Sequence, residues 1–361
     1  MLHWFQRKFS RRQSLRAAGS LGILAAGAGL VKPARATPKS ARAVHDGRHG
    51  GHNSTVGKVD NARNGFDPHD ILTDWERGTV TVDSAGRRVR TFEVTAIDKE
   101  IEIAPGIFFP AWTYNGRVPG PTLRAQEGEL IRINFHNAGS HEHSMHFHGI
   151  HSAPMDGIVG AGMVAPGKEF TYEFPAEPFG CHLYHCHSIP LKRHIHKGLY
   201  GAFIIDPDPG RHPEHREVAL SRQLGSSENS RWQEMVMVMN GFDTNFDDEN
   251  EVYAANTIAF AYMKDPVQVE RSRPIRIYLV NATEFDPVNS FHIHANFFDY
   301  YDHGTTLTPT LRTIDTVMQC QAQRGIIEMT FEKHEPGRYM FHAHQSEFAE
   351  LGWMSFFEVK A

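Results

Sequence analysis

The sequence has only three cysteines among its 361 residues: Cys181, Cys186 and Cys320. So few thiols exclude a fold held by a framework of disulfide bonds, and each cysteine must be judged by its own neighbours. Long apolar runs are also missing. The run from Ala17 to Val31 is too short to span a membrane, so we expect no membrane span.

An excess of positive charge is absent as well. The chain has 37 Lys and Arg against 42 Asp and Glu, a formal net charge of −5. An acidic protein is a poor candidate for nucleic-acid binding, so no nucleic-acid partner is expected. Hydrophobic residues make up 40% and charged residues 22% of the chain, which is typical of a folded globular protein.

Residues 1–36 predict an export signal. A twin-arginine motif at residues 10–15 precedes the mild apolar run, and an A-x-A cleavage site follows at residues 34–36. These features favour Tat export to the periplasm or the medium over a basic N-terminal arm. Residues 37–75 predict a flexible linker. It includes a histidine tract at residues 45–52 that could bind a metal, although a solvated tail is favoured.

The rest of the chain predicts an all-β fold. From about Thr79, short strands alternate with turn signals, and helical periodicity is almost absent. Residues 130–135 form one such strand, and residues 116–121 are a turn cluster. Closely spaced short strands of this kind indicate β-sandwiches or barrels.

An internal repeat divides this region into two domains. Six H-x-H pairs occur, and four of them lie in matching positions of the two halves: His146/His148 and His185/His187 in the first, His292/His294 and His342/His344 in the second. The other two, at residues 141/143 and 194/196, lie in the first half. Prolines cluster near residues 207–213, so we predict domain 1 at residues 76–210 and domain 2 at residues 211–361. Side chains two apart on a strand share a face, so each pair projects two imidazoles together. Four matched pairs could enclose a multinuclear metal site.

Strand parity separates Cys186 from the histidines beside it. Cys186 must point opposite to His185 and His187, into its own domain. One cysteine and two histidines form a blue-copper site, and His143 and His194 are suitably placed. His141 and His196 share their parity, so spacing alone leaves these alternatives open. Leu199 stands where a weak axial methionine often lies, and leucine cannot coordinate, which raises the reduction potential.

These motifs resemble those of the multicopper oxidase family over most of residues 90–361. The matching motifs are H-x-x-H-x-H at residues 143–148 and H-C-H followed by His194 and Leu199. The resemblance implies two tandem cupredoxin-like Greek-key domains and four copper ions per chain. It implies a type 1 copper held by His143, Cys186 and His194, and a type 2 copper held by His146 and His292. The implied ligands of the type 3 pair are His148, His185, His187, His294, His342 and His344.

Two departures refine the resemblance. Asn289 and Ala343 replace a histidine and a cysteine in domain 2, so only domain 1 keeps a type 1 site. With two domains rather than three, the chain is similar to two-domain laccase-like oxidases. Their cluster lies between domain 1 of one subunit and domain 2 of the next, which implies a homotrimeric ring.

The resemblance implies an oxidase that takes single electrons from a small phenolic or similar donor and reduces O₂ to water. Aromatic amines, Cu(I) and Mn(II) remain open as donors. The alternatives are a copper-containing nitrite reductase and a non-enzymatic copper or electron carrier. Copper content distinguishes the three, with four, two and one ion per chain.

Reduction of O₂ also needs protons, so carboxylates are expected near the cluster. Asp156 matches the family acid near the type 2 copper, and Glu347 lies three residues after His344. Either could instead be a turn residue or could orient a histidine. Cys181 and Cys320 match no ligand position, and a buried free thiol is favoured for each over a disulfide between them.

Overall fold

A computed structural model of the protein describes residues 57–361, which consist mainly of short strands. The strands of the first half are β1 (Trp75–Glu76), β2 (Thr79–Val82), β3 (Arg88–Ala104), β4 (Ile107–Tyr114), β5 (Thr122–Gln126), β6 (Leu130–Asn137), β7 (His146–Phe147), β8 (Glu169–Pro175), β9 (Gly180–His185) and β10 (Tyr200–Asp206). Those of the second half are β11 (Gln233–Phe242), β12 (Val252–Ala255), β13 (Val267–Glu270), β14 (Ile275–Asn281), β15 (Val288–Ile293), β16 (Phe298–Asp302), β17 (Leu311–Ile314), β18 (Thr316–Cys320), β19 (Arg324–Met329), β20 (Gly337–His342) and β21 (Met354–Lys360). The α-helices within this range are α1 (Asn61–Asn64), α2 (Pro68–Thr73), α3 (Leu191–His196), α4 (Arg216–Arg222), α5 (Ala261–Lys264) and α6 (Ser346–Glu350).

The first half forms a sandwich of two sheets. One has the strand order β1-β5-β10-β9-β7, and the other has β2-β3-β6-β8 with β4 paired to β3. In β6, Ile131, Ile133 and Phe135 alternate with more exposed residues and lie in the core between the sheets. This period of two is the pattern expected of a strand with one buried face.

The second half forms a second sandwich. Its sheets have the orders β12-β11-β14-β19-β16-β17 and β13-β21-β20-β15-β18. The connection between the sandwiches runs from Asp206 to Gln233 and contains α4, and the predicted boundary after residue 210 lies within it. The predicted all-β fold class is confirmed. Within residues 57–361 there is no helix both long and apolar enough to cross a membrane.

The two sandwiches share a buried contact surface. An apolar core joins residues of both halves, including Phe109 and Tyr278. Beside it, the Arg124 guanidinium lies 3.0 Å from the Asp206 carboxylate and 2.8 Å from that of Glu234. Separating the two domains would leave the buried charges of Arg124 and Glu234 without one another as partners, which is energetically costly. This ion pair therefore stabilises the observed packing of domain 2 on domain 1.

The predicted linker differs from the structure in its second part. The export signal at residues 1–36 and the tract at residues 45–52 lie outside the described residues. From residue 57 onward, however, the chain forms α1 and α2, and Ile71 and Leu72 are buried against the two cores. The Asp67 side chain caps α2 by accepting a hydrogen bond from His69 N at 2.8 Å. The prediction from composition overlooked these capping and apolar residues.

Candidate metal centre

Side chains at the end of β9 alternate between two directions, so neighbouring residues point into different parts of the molecule. Cys181 and Leu183 lie in the core shared with domain 2, whereas Tyr184 and Cys186 lie in the core of domain 1. His185 therefore follows Leu183 toward domain 2, and both residues line a cavity there. The thiol and the neighbouring imidazole thus point in opposite directions, as strand parity predicts.

The inward-facing group is a triangle of three buried donor atoms. Cys186 Sγ lies 3.3 Å from His194 Nδ1 and 3.9 Å from His143 Nδ1, and the two nitrogens are 3.3 Å apart. Three ligands about 2.0–2.3 Å from one ion, the range known for zinc, would be about 3.5–4.0 Å from each other. One observed separation lies in this range and the other two, at 3.3 Å, lie slightly below it, so the three atoms are close enough to share one ion. A soft sulfur with two imidazoles suits copper.

Burial prepares these groups for a metal. It lowers the pKa of His143 and of His194 to about 4, so both rings are neutral near pH 7 and can offer lone pairs. Burial also raises the pKa of the Cys186 thiol, a cost that a bound cation would offset by stabilising the thiolate. The fit is therefore chemical as well as geometric.

His141 and His196, which spacing alone left open as ligands beside Cys186, make contacts elsewhere. His141 is exposed and its Nδ1 pairs with Ser140 Oγ at 2.7 Å. His196 accepts a hydrogen bond from Asp243 N through Nε2 at 2.9 Å. Neither ring joins the Cys186 group. Leu199 is fully buried near it and supplies only a backbone carbonyl, which accepts from Cys186 N at 3.0 Å.

The outward-facing histidines of domain 1 form a second group. We call His146, His148, His185 and His187 the domain 1 quartet. His146 in β7 pairs directly with His185 in β9. His146 Nδ1 donates to Asp156 Oδ1 at 2.9 Å, and His185 Nδ1 donates to the Cys186 carbonyl at 2.8 Å. Because these acceptors fix the proton on Nδ1, the Nε2 lone pair of each ring is free for a metal.

Domain 2 repeats this arrangement. We call His292, His294, His342 and His344 the domain 2 quartet. His292 pairs with His342 across β15 and β20, and their Nδ1 atoms donate to the carbonyls of Asp315 and Ala343. In each quartet two Nε2 atoms face each other, at 2.8 Å for His148 and His185 and at 3.0 Å for His294 and His342. Each quartet therefore contains three ring nitrogens that lie close enough together to share a metal ion.

The inner face of domain 2 has no equivalent of the Cys186 group. Asn289 occupies the position equivalent to His143, as predicted, and its side-chain amide donates a hydrogen bond to Thr283 Oγ1. Backbone bonds identify two further replacements. Ala343 N donates to Trp353 O as Cys186 N donates to Leu199 O, so Trp353 stands for Leu199. Likewise Trp353 N bonds Phe348 O as Leu199 N bonds His194 O, so Phe348 stands for His194.

The two quartets do not meet within one chain. Among residues 57–361, each quartet makes ring contacts and hydrogen bonds within itself, and none joins the two quartets. The domain 1 quartet instead faces a cavity of about 500 Å³ whose opposite wall belongs to the same chain's domain 2. His294 and His344 of the domain 2 quartet are exposed.

The two predicted acids lie in different settings. Asp156 contacts His146 and also His151, whose Nε2 is 3.4 Å from Asp156 Oδ1. Asp156 therefore orients a quartet histidine in the present geometry. Glu347 is exposed in the first turn of α6, and within the described residues no side-chain hydrogen bond joins it to a histidine. The structure thus brings Asp156, and not Glu347, into contact with a quartet.

Sequence reasoning missed three residues at these sites. His151 was overlooked because it belongs to no H-x-H pair, although it lies only three residues after His148. Trp112 packs at a tilt against His194 with ring centres 4.7 Å apart, and Glu284 lines the cavity. Trp112 and Glu284 are distant in sequence from the motifs, so no local signal could have indicated them.

The remaining cysteines are both free. Cys181 is buried as predicted, and burial raises the pKa of its thiol to about 12. The prediction of a buried thiol is wrong for Cys320, which is exposed at the end of β18. Residues 317 and 319 of that strand are buried, so the period of two turns Cys320 outward.

Comparison with known proteins agrees with this architecture. Family models described as multicopper oxidase match residues 98–210 and residues 231–361. The chain belongs to the multicopper oxidase family. A crystal structure of a multicopper oxidase is 52% identical, with a TM-score of 0.76, and the match covers 84% of this chain and 100% of that one. The predicted family and the predicted cupredoxin fold are confirmed, and a copper-dependent oxidoreductase is supported.

Other relatives of this multicopper oxidase have different activities. A copper-containing nitrite reductase of Neisseria meningitidis is 24% identical over 257 residues, which cover 70% of this chain and only 64% of the reductase. Laccase abr2 of Aspergillus fumigatus is 38% identical over 102 residues, which cover 27% of this chain and 17% of the laccase. The structure of copper nitrite reductase from Nitrosomonas europaea is 23% identical with a TM-score of 0.64 over 75% of this chain and 94% of that one, which shows a shared fold.

Proposed function

We propose that this multicopper oxidase is laccase-like: it takes single electrons from a phenolic or similar donor and reduces O₂ to water. The observation that carries the proposal is the survival of both histidine quartets beside the Cys186 group. A nitrite reductase needs three histidines at its catalytic copper, and an electron carrier needs only the Cys186 site. Eight additional histidines in matched registers favour a cluster of three copper ions.

The ligand assignment follows the resemblance and fits the geometry. His143, Cys186 and His194 would hold the type 1 copper, and the apolar side chain of the nearby Leu199 offers no ligand atom. The two quartets would hold one type 2 and two type 3 ions. When bound, these four ions supply one-electron redox chemistry and store four electrons. Peptide bonds join Cys186 to His185 and His187, which gives the shortest covalent route between the two groups.

The cluster requires two subunits in this proposal. Since the quartets do not meet within the chain, domain 1 of one subunit would face domain 2 of the next. Exposed apolar side chains near both quartets support such an interface: Ile189 is 87% exposed two residues after His187, and Met318 is 64% exposed on the strand paired with β15. Head-to-tail contacts of this kind close into rings, and we propose a trimer.

The donor and the location are part of the proposal. Phenols are proposed as donors, with aromatic amines, Cu(I) and Mn(II) as alternatives. The twin-arginine motif supports Tat export to the periplasm or the medium. Similarity to the Neisseria meningitidis enzyme keeps nitrite reductase as the second candidate.

Copper content and electron acceptor test the function together. The assembled protein should contain four copper ions per chain and should consume O₂ when supplied with a phenolic donor. Dissociated subunits should keep the type 1 ion and lose the other three. Two ions per chain with nitrite turnover would establish the reductase instead, and a fully loaded monomer would contradict the cluster between subunits.

A further inference from the structure

The cavity beside the domain 1 quartet has walls of different chemistry. Its volume is about 500 Å³, and the four quartet histidines form one wall. The opposite wall comes from domain 2 and includes Glu284 and Gln321, and α3 contributes Lys192. Glu284 is the one carboxylate among the described residues that line it. A carboxyl group thus faces the proposed site of O₂ reduction across a space that can hold water.

Two contacts hold Glu284 in this position. Gln321 donates a side-chain hydrogen bond to its carboxylate, and the Glu284 backbone carbonyl accepts from Asn250 Nδ2 at 2.7 Å. Asn250 also donates to Asp286 Oδ2 at 2.8 Å, which anchors the turn between β14 and β15. The side chain is half-buried. Hydrogen bonds within the fold therefore fix the position of Glu284 beside the cavity.

The charges around Glu284 keep it able to exchange a proton near neutral pH. Burial raises the pKa of Glu284 to about 7, while the Gln321 hydrogen bond and the Lys192 charge oppose the rise. Lys192 is itself paired with Asp248 at 2.6 Å. In the chain without copper, burial lowers the pKa of His148 to about 2 and of His185 to about 4, so these rings are neutral across the cavity. Bound copper ions would add positive charge there and lower the pKa of Glu284.

We propose that Glu284 donates protons, through cavity water, to oxygen being reduced at the domain 1 quartet; the assignment rests on the proposed function. Reduction of one O₂ to two water molecules consumes four electrons and four protons. The electrons come from the reducing substrate. Each proton leaves the Glu284 carboxyl group for cavity water, and the carboxylate then regains a proton from solvent. Asp156 is occupied by His146 and His151, so Glu284 supplies what Asp156 does not.

Infrared difference spectroscopy tests the titration without turnover. In the full chain without copper, a protonated carboxyl band should disappear with a midpoint near pH 7 in the wild type and be missing from Glu284→Gln. Gln321→Leu and Lys192→Met should each move the midpoint upward, because each removes a group that stabilises the carboxylate. The matched control is Glu249→Gln, an exposed acid of the neighbouring loop, which should leave the band unchanged. Burial also raises the pKa of Asp206, to about 6, so its band should be present in both proteins. Identical carboxyl bands in the wild type and in Glu284→Gln would overturn the assignment.

The pH profile of O₂ consumption tests the role. Wild-type turnover should fall as pH rises through the pKa of Glu284, which bound copper ions lower below its copper-free value, because the donor loses its proton. Glu284→Gln should be at least tenfold slower at pH 6 and should lack this limb, with unchanged copper content and colour, and Glu284→Asp should restore part of the rate. General acids contribute about 10²–10⁴-fold, so a tenfold loss is a modest expectation for transfer through water.

The possible failures are distinguishable. Normal O₂ consumption with the same profile in Glu284→Gln and Glu249→Gln would overturn the role of Glu284 and leave the oxidase proposal intact. No O₂ consumption by copper-loaded wild type would overturn both. A midpoint near that of an ordinary solvated carboxyl group would contradict the cavity argument even in an active oxidase.

Discussion

The two sandwiches of this protein carry the same histidine quartet on one face and different residues on the other. In domain 1 the inner face holds Cys186 and two histidines, whereas in domain 2 the equivalent positions are Asn289, Ala343 and Phe348. Strand alternation keeps the two faces apart, so substitutions on the inner face leave the outer quartet in register. A mononuclear site can therefore be lost while the outer histidines persist.

Domain 2 fills the space of the missing site with aromatic packing. Trp353 is fully buried, and its Nε1 donates to Ser290 O at 3.2 Å. Phe348 stacks on Tyr253 with ring centres 4.0 Å apart. The two quartets also differ in solvent exposure. Asp156 contacts His146 of the domain 1 quartet and also His151, whereas His294 and His344 of the domain 2 quartet are exposed. Domain 1 thus keeps a three-residue group of metal-ligand type on its inner face, and domain 2 replaces it with aromatic packing.

The largest effect is expected from Cys186→Ser. The variant should lose the blue colour and essentially all oxidase turnover while keeping the copper ions of the quartets, because only the inner site loses its thiolate. The control is Ala343→Ser, the equivalent change in domain 2, which should keep both. Visible absorption and copper analysis measure these outcomes, and a Cys186→Ser variant that stays blue would refute the type 1 assignment.

A large loss of stability is expected from Trp353→Ala. Removing this fully buried side chain should lower the free energy of unfolding by about 3–5 kcal/mol without changing the colour. Leu199→Ala, at the equivalent position of domain 1, should cost about 2–5 kcal/mol and also change the absorption of the type 1 site. Denaturant unfolding provides the measurement. Loss of colour in Trp353→Ala would mean that the two inner faces are not independent.

Acid should destabilise domain 1 before domain 2. Burial lowers the pKa of His182 and of His196 in domain 1 to about 4, below the value of about 6.5 in an unfolded chain. The unfolded state therefore binds more protons as pH falls from about 6.5 to 4, and each histidine lowers the free energy of unfolding by up to about 3 kcal/mol. Hydrogen exchange should show domain 1 amides losing protection first, and His182→Gln should reduce the difference. Equal loss in both domains would argue against this account.

The smallest effect is expected from replacing residues that orient the quartet histidines through hydrogen bonds. Asp156→Asn removes the charged acceptor of His146 and should weaken copper binding about 10–100-fold. Thr316→Val removes the neutral hydroxyl 2.8 Å from His292 Nδ1 and keeps the Asp315 carbonyl, so its effect should be less. Competition with a chelator measures both affinities. A larger effect of Thr316→Val than of Asp156→Asn would contradict the expectation that the charged acceptor contributes more than the neutral hydroxyl.

Local geometry explains which features the sequence could predict. The opposite directions of Cys186 and His185 follow from a period of two, and the H-x-H pairs follow from the same rule. Phe348 and Trp353 could not be matched to His194 and Leu199 because the loop after Ala343 is shorter than the loop after Cys186. Glu284 reaches the cavity only through packing of domain 2 on domain 1, which no local pattern reports. The exposed Cys320 shows that strand parity, rather than residue type, decides burial.

Anomalous diffraction at the copper absorption edge would test the central claim most directly. The account predicts four peaks per chain: one among Cys186, His143 and His194, and three between the domain 1 quartet of one subunit and the domain 2 quartet of its neighbour. A single peak between the quartets, or a Cys186 sulfur with no copper beside it, would contradict the account.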